Sequence, residues 1–108
     1  MPPAFHLILS PEAGANLQEL HEYISRNSPQ NAARMVGRIL DAIATLEEFP
    51  HRNVVEHRSE KLKHPVRSIA VRPHLIFFRV LEDQKGVRIL TVRHAARRRP
   101  VRFDERKQ

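Results

Sequence analysis

With 108 residues, the chain can bury one hydrophobic core, and this length excludes a separate cofactor domain. It contains no cysteine, which excludes disulfides, thiolate nucleophiles and thiolate metal sites and is consistent with a reducing cytoplasm. The net charge is +7, and no apolar run approaches the roughly 20 residues of a membrane-spanning helix, so we expect a soluble cytoplasmic protein without a targeting signal.

The chain opens with the pattern of a short strand followed by a helix. Apolar residues alternate with others over residues 4–9, which predicts a strand with one buried face. Ser10 can cap a helix, Pro11 suits its first position, and Glu12 meets the positive end of its dipole. We expect this helix to end at Asn27 and to bury one stripe, formed by Ala13, Leu17, Leu20 and Ile24.

A second helix begins in the same way. Ser28-Pro29 repeats the capping pattern, and Phe49-Pro50 stops a helix that we expect to run to about residue 48. Its apolar stripe is wider and comprises Ala32, Met35, Val36, Ile39, Leu40, Ile43 and Leu46. Two helices joined by so few residues must lie roughly antiparallel, and a sheet is needed to cover both stripes.

The rest of the chain has the pattern of a sheet. Residues 51–64 are polar and are interpreted as a surface loop, with a short strand or turn around Val54-Val55. Three strands follow, at 66–71, 74–82 and 87–94, and a hairpin turn at 83–86 joins the last two. We therefore predict an α+β fold: an N-terminal strand, an antiparallel two-helix hairpin and a three-stranded antiparallel meander, forming one small sheet.

Charge is unevenly distributed along the chain. Residues 1–60 hold 5 Lys and Arg against 8 Asp and Glu, whereas residues 61–108 hold 14 against 4. We expect one domain over residues 1–97 and a basic tail over residues 98–108. The basic half could attract nucleic acid or an acidic protein. Alternatively, the tail only solubilises the domain.

The last strand ends in a candidate acid or base. Regular alternation predicts Leu90, Val92 and His94 on one face, with Val87, Ile89, Thr91 and Arg93 on the other. His94 could transfer a proton near neutral pH, because the reference pKa of histidine is about 6.5. The alternative is a structural role, in which His94 binds a loop or helix-end carbonyl.

Several arginines could join that histidine. Arg67, Arg79 and Arg97 could converge near the strand end and bind phosphate or carboxylate. The alternative for Arg79, which lies in the most apolar strand, is an ion pair with a helix-side carboxylate: Glu19, Glu22 or Glu47.

Other site chemistries are not predicted. His51, His57 and His64 are six and seven residues apart in a loop, which is not a metal-ligand spacing, so we expect no metal site. The three glycines form no phosphate-binding loop, and we expect no cofactor.

Taken in order, the segments of this chain resemble the toxins of the ParE/RelE superfamily of bacterial toxin-antitoxin systems, and ParE-like toxins most. The resemblance covers nearly the whole chain. It rests on the following segments: Leu9-Ser10-Pro11-Glu12-Ala13, Leu20-His21-Glu22-Tyr23-Ile24, Ser28-Pro29-Gln30-Asn31-Ala32, Ile39-Leu40-Asp41-Ala42-Ile43-Ala44-Thr45-Leu46, Phe49-Pro50, Val66-Arg67-Ser68-Ile69, Leu75-Ile76-Phe77-Phe78-Arg79-Val80 and Ile89-Leu90-Thr91-Val92-Arg93-His94-Ala95-Ala96-Arg97.

The resemblance implies a toxin that a cognate antitoxin neutralises. A ParD-like antitoxin would wrap an acidic C-terminal segment over the groove between helices and sheet, giving a heterodimer or a heterotetramer. The residues expected to contact it are Leu20, Ile24, Met35, Ile39, Phe77 and Arg79.

The resemblance leaves two activities open, because ParE-like toxins poison DNA gyrase and RelE-like toxins cut messenger RNA on the ribosome. RelE-like nucleases often carry a tyrosine near the C-terminus, whereas here Ala95 follows His94 and the one tyrosine is Tyr23. This departure favours a gyrase poison involved in plasmid stabilisation. The residues expected to contact the target are Arg93, His94, Arg97, Arg98, Arg99 and Arg102.

The alternative, a ribosome-dependent endoribonuclease, would use Arg67, Arg79, His94 and Arg97 for proton transfer and phosphate stabilisation. A third reading is a scaffold that binds its antitoxin but has no active target.

Overall fold

In the computed structural model, the described residues are 5–52, 54–57 and 65–96. A short strand precedes two helices, and four further strands follow. The elements are β1 (His6–Leu9), α1 (Pro11–Ser25), α2 (Pro29–Ala44), β2 (Val54–His57), β3 (Val66–Val71), β4 (His74–Leu81) and β5 (Gly86–His94). Short 3₁₀ turns lie at Thr45–Glu47, Pro50–Arg52 and Glu82–Gln84.

Both helices begin where their capping residues predict. The Ser10 hydroxyl accepts a hydrogen bond from the Ala13 N–H at 3.0 Å, and the Ser28 hydroxyl accepts one from the Asn31 N–H at 3.1 Å. Both helices are shorter than predicted. The last turn of α2 tightens into the 3₁₀ turn at Thr45–Glu47 before Phe49-Pro50.

The five strands form one mixed sheet in the order β1-β5-β4-β3-β2. Strands β2 to β5 pair antiparallel, whereas β1 pairs parallel with the first half of β5, from His6 opposite Gly86 to Leu9 opposite Ile89. The predicted α+β fold is confirmed, and β4 is the central strand. The sheet has one more strand than the meander and the N-terminal strand together, because residues 54–57 pair with β3.

The main core lies between the helices and the inner face of the sheet. Its buried members include Leu17, Ile39 and Ile43 from the helices and Ile76, Phe78, Val87 and Ile89 from the strands. A smaller cluster of Val66, Phe77 and Leu90 lies on the opposite, outer face. The helices therefore cover only one face of the sheet.

The predicted alternation along β5 is wrong because a β-bulge interrupts it. Phe77 pairs with Thr91 and Phe78 with Ile89, so Leu90 is an extra residue in β5. Ile89 and Val92 consequently both reach the inner core, and Leu90 joins the outer cluster. The bulge shifts the inward positions by one residue just before the strand end.

Within the described ranges, no helix is both long enough and apolar enough to cross a membrane. The predicted basic tail, with Arg97, Arg98, Arg99 and Arg102, lies outside the described residues, and so does His64.

Candidate functional site

A cleft of about 670 Å³ opens between α1 and the sheet end where β4 begins and β5 ends. We call it the α1 cleft. Its helix wall is lined by three carboxylates, one arginine and apolar side chains, namely Glu12, Glu19, Glu22, Arg26, Leu20 and Tyr23. Its strand wall is lined by His74, Arg93 and His94. Tyr23 is 68% exposed, the highest value among the exposed large hydrophobic side chains in the described residues. The cleft therefore combines an accessible aromatic ring with charged walls.

The N-cap residue of α1, Ser10, and a residue of its second turn, Asn16, hold β5 beside this cleft. The Ser10 hydroxyl donates to the Leu90 carbonyl at 2.8 Å. The Asn16 side-chain oxygen accepts from the Thr91 hydroxyl at 2.9 Å and from the Val92 N–H at 3.0 Å. These bonds begin where the pairing of β1 with β5 ends, so the side chains of Ser10 and Asn16 replace the backbone of β1 along this edge.

Two histidines meet at the strand wall. His74 and His94 are cross-strand partners, and their rings pack edge to face with centroids 5.4 Å apart. His74 is buried, and burial lowers its pKa, with the charge of a protonated His94 lowering it further. His94 is exposed, and its Nδ1 accepts a hydrogen bond from the Ala96 N–H at 3.1 Å.

The turn beside these histidines is also ordered by hydrogen bonding. The Arg72-Pro73 peptide bond is cis, and the Pro73 carbonyl accepts from the Ala95 N–H at 2.8 Å. The bond made by His94 Nδ1 comes from a backbone N–H and not from the loop or helix-end carbonyl predicted for its structural role, which stays a prediction.

The charged groups of the α1 cleft are not neutralised within the part of the chain that is described. No ion pair joins Glu12, Glu19 or Glu22 to another residue there. Arg93 pairs with Leu75, which packs against the outer cluster, so its side chain faces away from α1, and its Nε is buried without a hydrogen-bond partner in the same ranges. The helix wall therefore presents carboxylates that have no ion-pair partner within the described residues.

The predicted convergence of Arg67 and Arg79 near His94 is wrong. Arg79 pairs with Val66 and Arg88, whereas His94 pairs with His74, five residues earlier in β4. This offset corresponds to about 16 Å along the strand. Arg67 pairs with Phe78, which faces the inner core, and its guanidinium donates to the His51 carbonyl at 3.3 Å.

Arg79 and Arg88 instead form a cross-strand arginine pair on the outer face of the sheet. Arg79 alternates with Phe78 and Val80, whose side chains face the helices, so its own side chain faces away from them. Arg79 is buried, since it is 2% exposed. Its predicted pairing with Glu19, Glu22 or Glu47 is wrong, because those carboxylates lie on the helix side of the sheet.

The residues expected to contact an antitoxin do not form one continuous surface. Leu20 and Ile24 line the α1 cleft, and Met35 packs half-buried against the core from α2. Ile39 is fully buried in the inner core, and Phe77 and Arg79 are buried at the outer face. Of the residues expected to contact the target, Arg93 and His94 lie together at the cleft.

The histidines of the predicted loop have different surroundings. His51 forms an ion pair with Glu82 and packs edge to face against Phe5. In the ranges 5–52 and 65–96, no three His, Asp or Glu side chains are close enough together to hold a metal ion. His57 belongs to β2.

Sequence reasoning did not identify His74 or Asn16 as parts of the site. An asparagine in the middle of a helix is a usable signal, because it has low helix propensity and tends to bond a neighbouring backbone. His74 carries no comparable signal, since its contact with His94 depends on strand register.

Comparison with known proteins agrees with this architecture. The family model described as the ParE toxin of type II toxin-antitoxin systems, parDE, matches residues 7–99. A protein of Sinorhizobium fredii named "Putative toxin Y4kP" is 35% identical over 86 residues, which cover 78% of this chain and 81% of that protein.

Two solved structures share the fold. One comes from the chromosomal ParDE system of P. aeruginosa, with a TM-score of 0.68 and 20% identity over 86% of this chain and 98% of that one. The other is the RelBE2 toxin-antitoxin complex of Mycobacterium tuberculosis, with a TM-score of 0.60 and 19% identity over 87% of this chain and 94% of that one.

Proposed function

Because the chain belongs to the ParE toxin family of type II toxin-antitoxin systems, we propose that it poisons DNA gyrase in the cytoplasm and is neutralised by a cognate antitoxin. Both activities of the wider superfamily occur on one fold, so the choice between them depends on how the side chains are arranged.

This proposal rests on the distance between the two histidines, His74 and His94, and Arg79. Cleavage of RNA without a metal needs a proton donor, a proton acceptor and a phosphate-stabilising cation around one phosphate. In the described residues, His74 and His94 lie at one end of the sheet, whereas Arg79 lies about 16 Å away on the other face. A poison needs no such set, because it acts by binding the enzyme-DNA complex.

The antitoxin is proposed to use both the apolar and the basic parts of the surface. Leu20, Ile24 and Met35 offer partly exposed apolar contacts on the helices. The excess of arginine and lysine after residue 60 attracts an acidic segment, as expected for a ParD-like partner. The solved relatives are toxin-antitoxin systems, which supports a hetero-oligomer as the stored form.

One observation favours the alternative, a ribosome-dependent endoribonuclease. Arg79 and Arg88 lie directly opposite each other on neighbouring strands, where like charges repel. A phosphate bound between them would relieve that repulsion. This pair keeps messenger RNA cleavage as the second candidate, and a scaffold without an active target is the third.

The proposal is tested by plasmid cleavage with purified gyrase and ATP. Adding the toxin freed from its antitoxin should produce linear DNA after protease treatment. Replacing Arg97, Arg98 and Arg99 by alanine should reduce the linear product, because these residues are proposed to contact the target. The matched control removes three exposed arginines elsewhere, Arg34, Arg38 and Arg72, and should retain cleavage.

Absence of linear DNA from a folded wild-type toxin would overturn the gyrase proposal. Translating ribosomes with a defined messenger would then be the next substrate. Loss of messenger cleavage in His94→Gln, with unchanged folding, would assign His94 to proton transfer. Unchanged messenger cleavage in that variant would show that the role of His94 is structural.

A further inference from the structure

The helix wall of the α1 cleft carries more negative than positive charge. Glu12, Glu19 and Glu22 line it, and its one cation within the described ranges is Arg26. All three carboxylate side chains are exposed, and none of them has an ion-pair partner in the described residues. This wall therefore attracts a positively charged group and repels an acidic one.

The strand wall does not balance these carboxylates. The side chain of Arg93 faces the outer side of the sheet, because Arg93 pairs with Leu75 of the outer face. His74 faces α1, but burial lowers its pKa, so its ring is neutral near pH 7. The Nδ1 atom of His94 accepts a hydrogen bond from a backbone N–H, which only a neutral imidazole ring can do at that nitrogen.

The strand wall also holds a polar atom that lacks a partner. His74 lines the cleft and is 6% exposed, and its Nδ1 is buried without a hydrogen-bond partner in the described part of the chain. Buried polar atoms in proteins are nearly always hydrogen-bonded, and an unsatisfied one is destabilising until a ligand supplies the missing bond. This atom is a second indication, independent of the carboxylates, that the cleft binds a ligand.

Apolar surface lies directly beside the carboxylates. Tyr23 is 68% exposed, and Leu20 is half-buried. Glu19 is four residues from Tyr23 and three from Glu22, so these side chains are neighbours on the surface of α1. Lysine and arginine pack their aliphatic stems on apolar surface while the charged head stays free, and the cation is also attracted to an aromatic ring. The cleft therefore suits a long cationic side chain.

We propose that the α1 cleft binds a lysine or arginine of the cognate antitoxin, with its stem on Tyr23 and its charged head at Glu19 and Glu22. This inference rests on the proposed neutralisation by an antitoxin and adds the chemistry of the antitoxin segment that enters this cleft. An antitoxin that is acidic elsewhere can place one basic side chain here, because Arg88 and Arg93 face the opposite side of the sheet.

The test is a competition binding measurement between the full-length toxin and its full-length cognate antitoxin. Glu19→Lys combined with Glu22→Lys, the double cleft variant, should bind about tenfold more weakly or worse, because the antitoxin's cation then meets two further cations. An antitoxin attracted only by positive charge would instead bind this variant more tightly. The direction of the change therefore distinguishes a basic contact from an acidic one.

The matched control is Glu47→Lys combined with Glu48→Lys. Both side chains are exposed and do not line the cleft, and the change of charge is the same. This control should not bind the antitoxin more weakly than the wild type does. Circular dichroism should show that both double variants are folded.

A rescue experiment identifies the partner of the carboxylates. The lysines and arginines of the antitoxin are replaced by glutamate one at a time. One replacement should restore binding to the double cleft variant and weaken binding to the wild-type toxin. A change in the antitoxin cannot repair the fold of the toxin, so such restoration assigns the contact.

Three results would overturn the inference: undiminished binding of the double cleft variant, an equal loss in the control, or failure of every antitoxin replacement to restore binding. Each of them leaves the neutralisation proposal intact, because the wild-type toxin still binds its antitoxin. A wild-type toxin that does not bind the antitoxin would overturn the neutralisation proposal and this inference together.

Discussion

The two halves of β5 are held in different ways. In the first half, from Gly86 to Ile89, the backbone of β1 pairs along the strand, and inward side chains are fully buried in the core. In the second half, after the bulge, Ser10 and Asn16 replace β1, and His74, Arg93 and His94 line an open cleft. Backbone pairing and core packing hold the first half, whereas a few side-chain hydrogen bonds hold the second.

This difference shows where the fold can accommodate function. In the second half, two side chains bond to the backbone groups at the edge of β5, so no further strand covers this edge. Charged groups beside it can therefore stay accessible to solvent. At the other end of the same strand, Arg88 is a neighbour of the buried Arg79 and β1 covers the edge. Exposed charge and an open cleft therefore occur together only in the second half.

The largest effect is expected in the first half of β5. Ile89→Ala should lower the free energy of unfolding by about 2–5 kcal/mol, because it leaves a cavity in the inner core. Urea denaturation followed by circular dichroism measures this change. Leu40→Ala removes similar apolar volume from a side chain that is 47% exposed, and its effect should stay below about 0.5 kcal/mol. Equal losses in the two variants would contradict the packing described here.

A smaller effect is expected in the second half. Asn16→Ala should lower the free energy of unfolding by about 1–3 kcal/mol, because the Val92 N–H and the Thr91 hydroxyl lose their acceptor. Hydrogen exchange should show faster exchange at Val92 than at Ile89. Gln18→Ala, an exposed amide on the same helix, is the control and should leave both measurements unchanged. Unaltered exchange at Val92 in Asn16→Ala would refute the role assigned to this side chain.

The smallest effect concerns pH and the strand wall. The pKa of His74 is lower in the folded than in the unfolded chain, so the unfolded chain binds more protons as pH falls below about 6.5. Stability should therefore decrease as the pH is lowered from 7.5 through the pKa of folded His74. Thermal unfolding across this range measures the decrease.

Two variants make this pH prediction specific. His74→Gln should flatten the dependence of stability on pH, because the buried titrating group is gone. His21→Gln, at an exposed position of α1, should keep the wild-type profile. A wild-type slope in His74→Gln would show that another group is responsible.

Local sequence was sufficient to determine the helices and most strands of this protein. Ser10-Pro11 and Ser28-Pro29 start helices through contacts within four residues, and Pro73 and the turn before Gly86 separate strands in the same local way. The order of the segments also determined the family, because capping, apolar spacing and strand pattern all agree with one fold.

Only the tertiary structure decided which side chains share a site. The bulge at Leu90 reverses the faces of β5, and strand register places His74 rather than Arg79 beside His94. Register depends on pairing between residues far apart in the chain, and a shift by one residue moves a side chain to the other face. The two walls of the α1 cleft likewise come from segments about 70 residues apart, which only the packing of α1 beside β5 brings together.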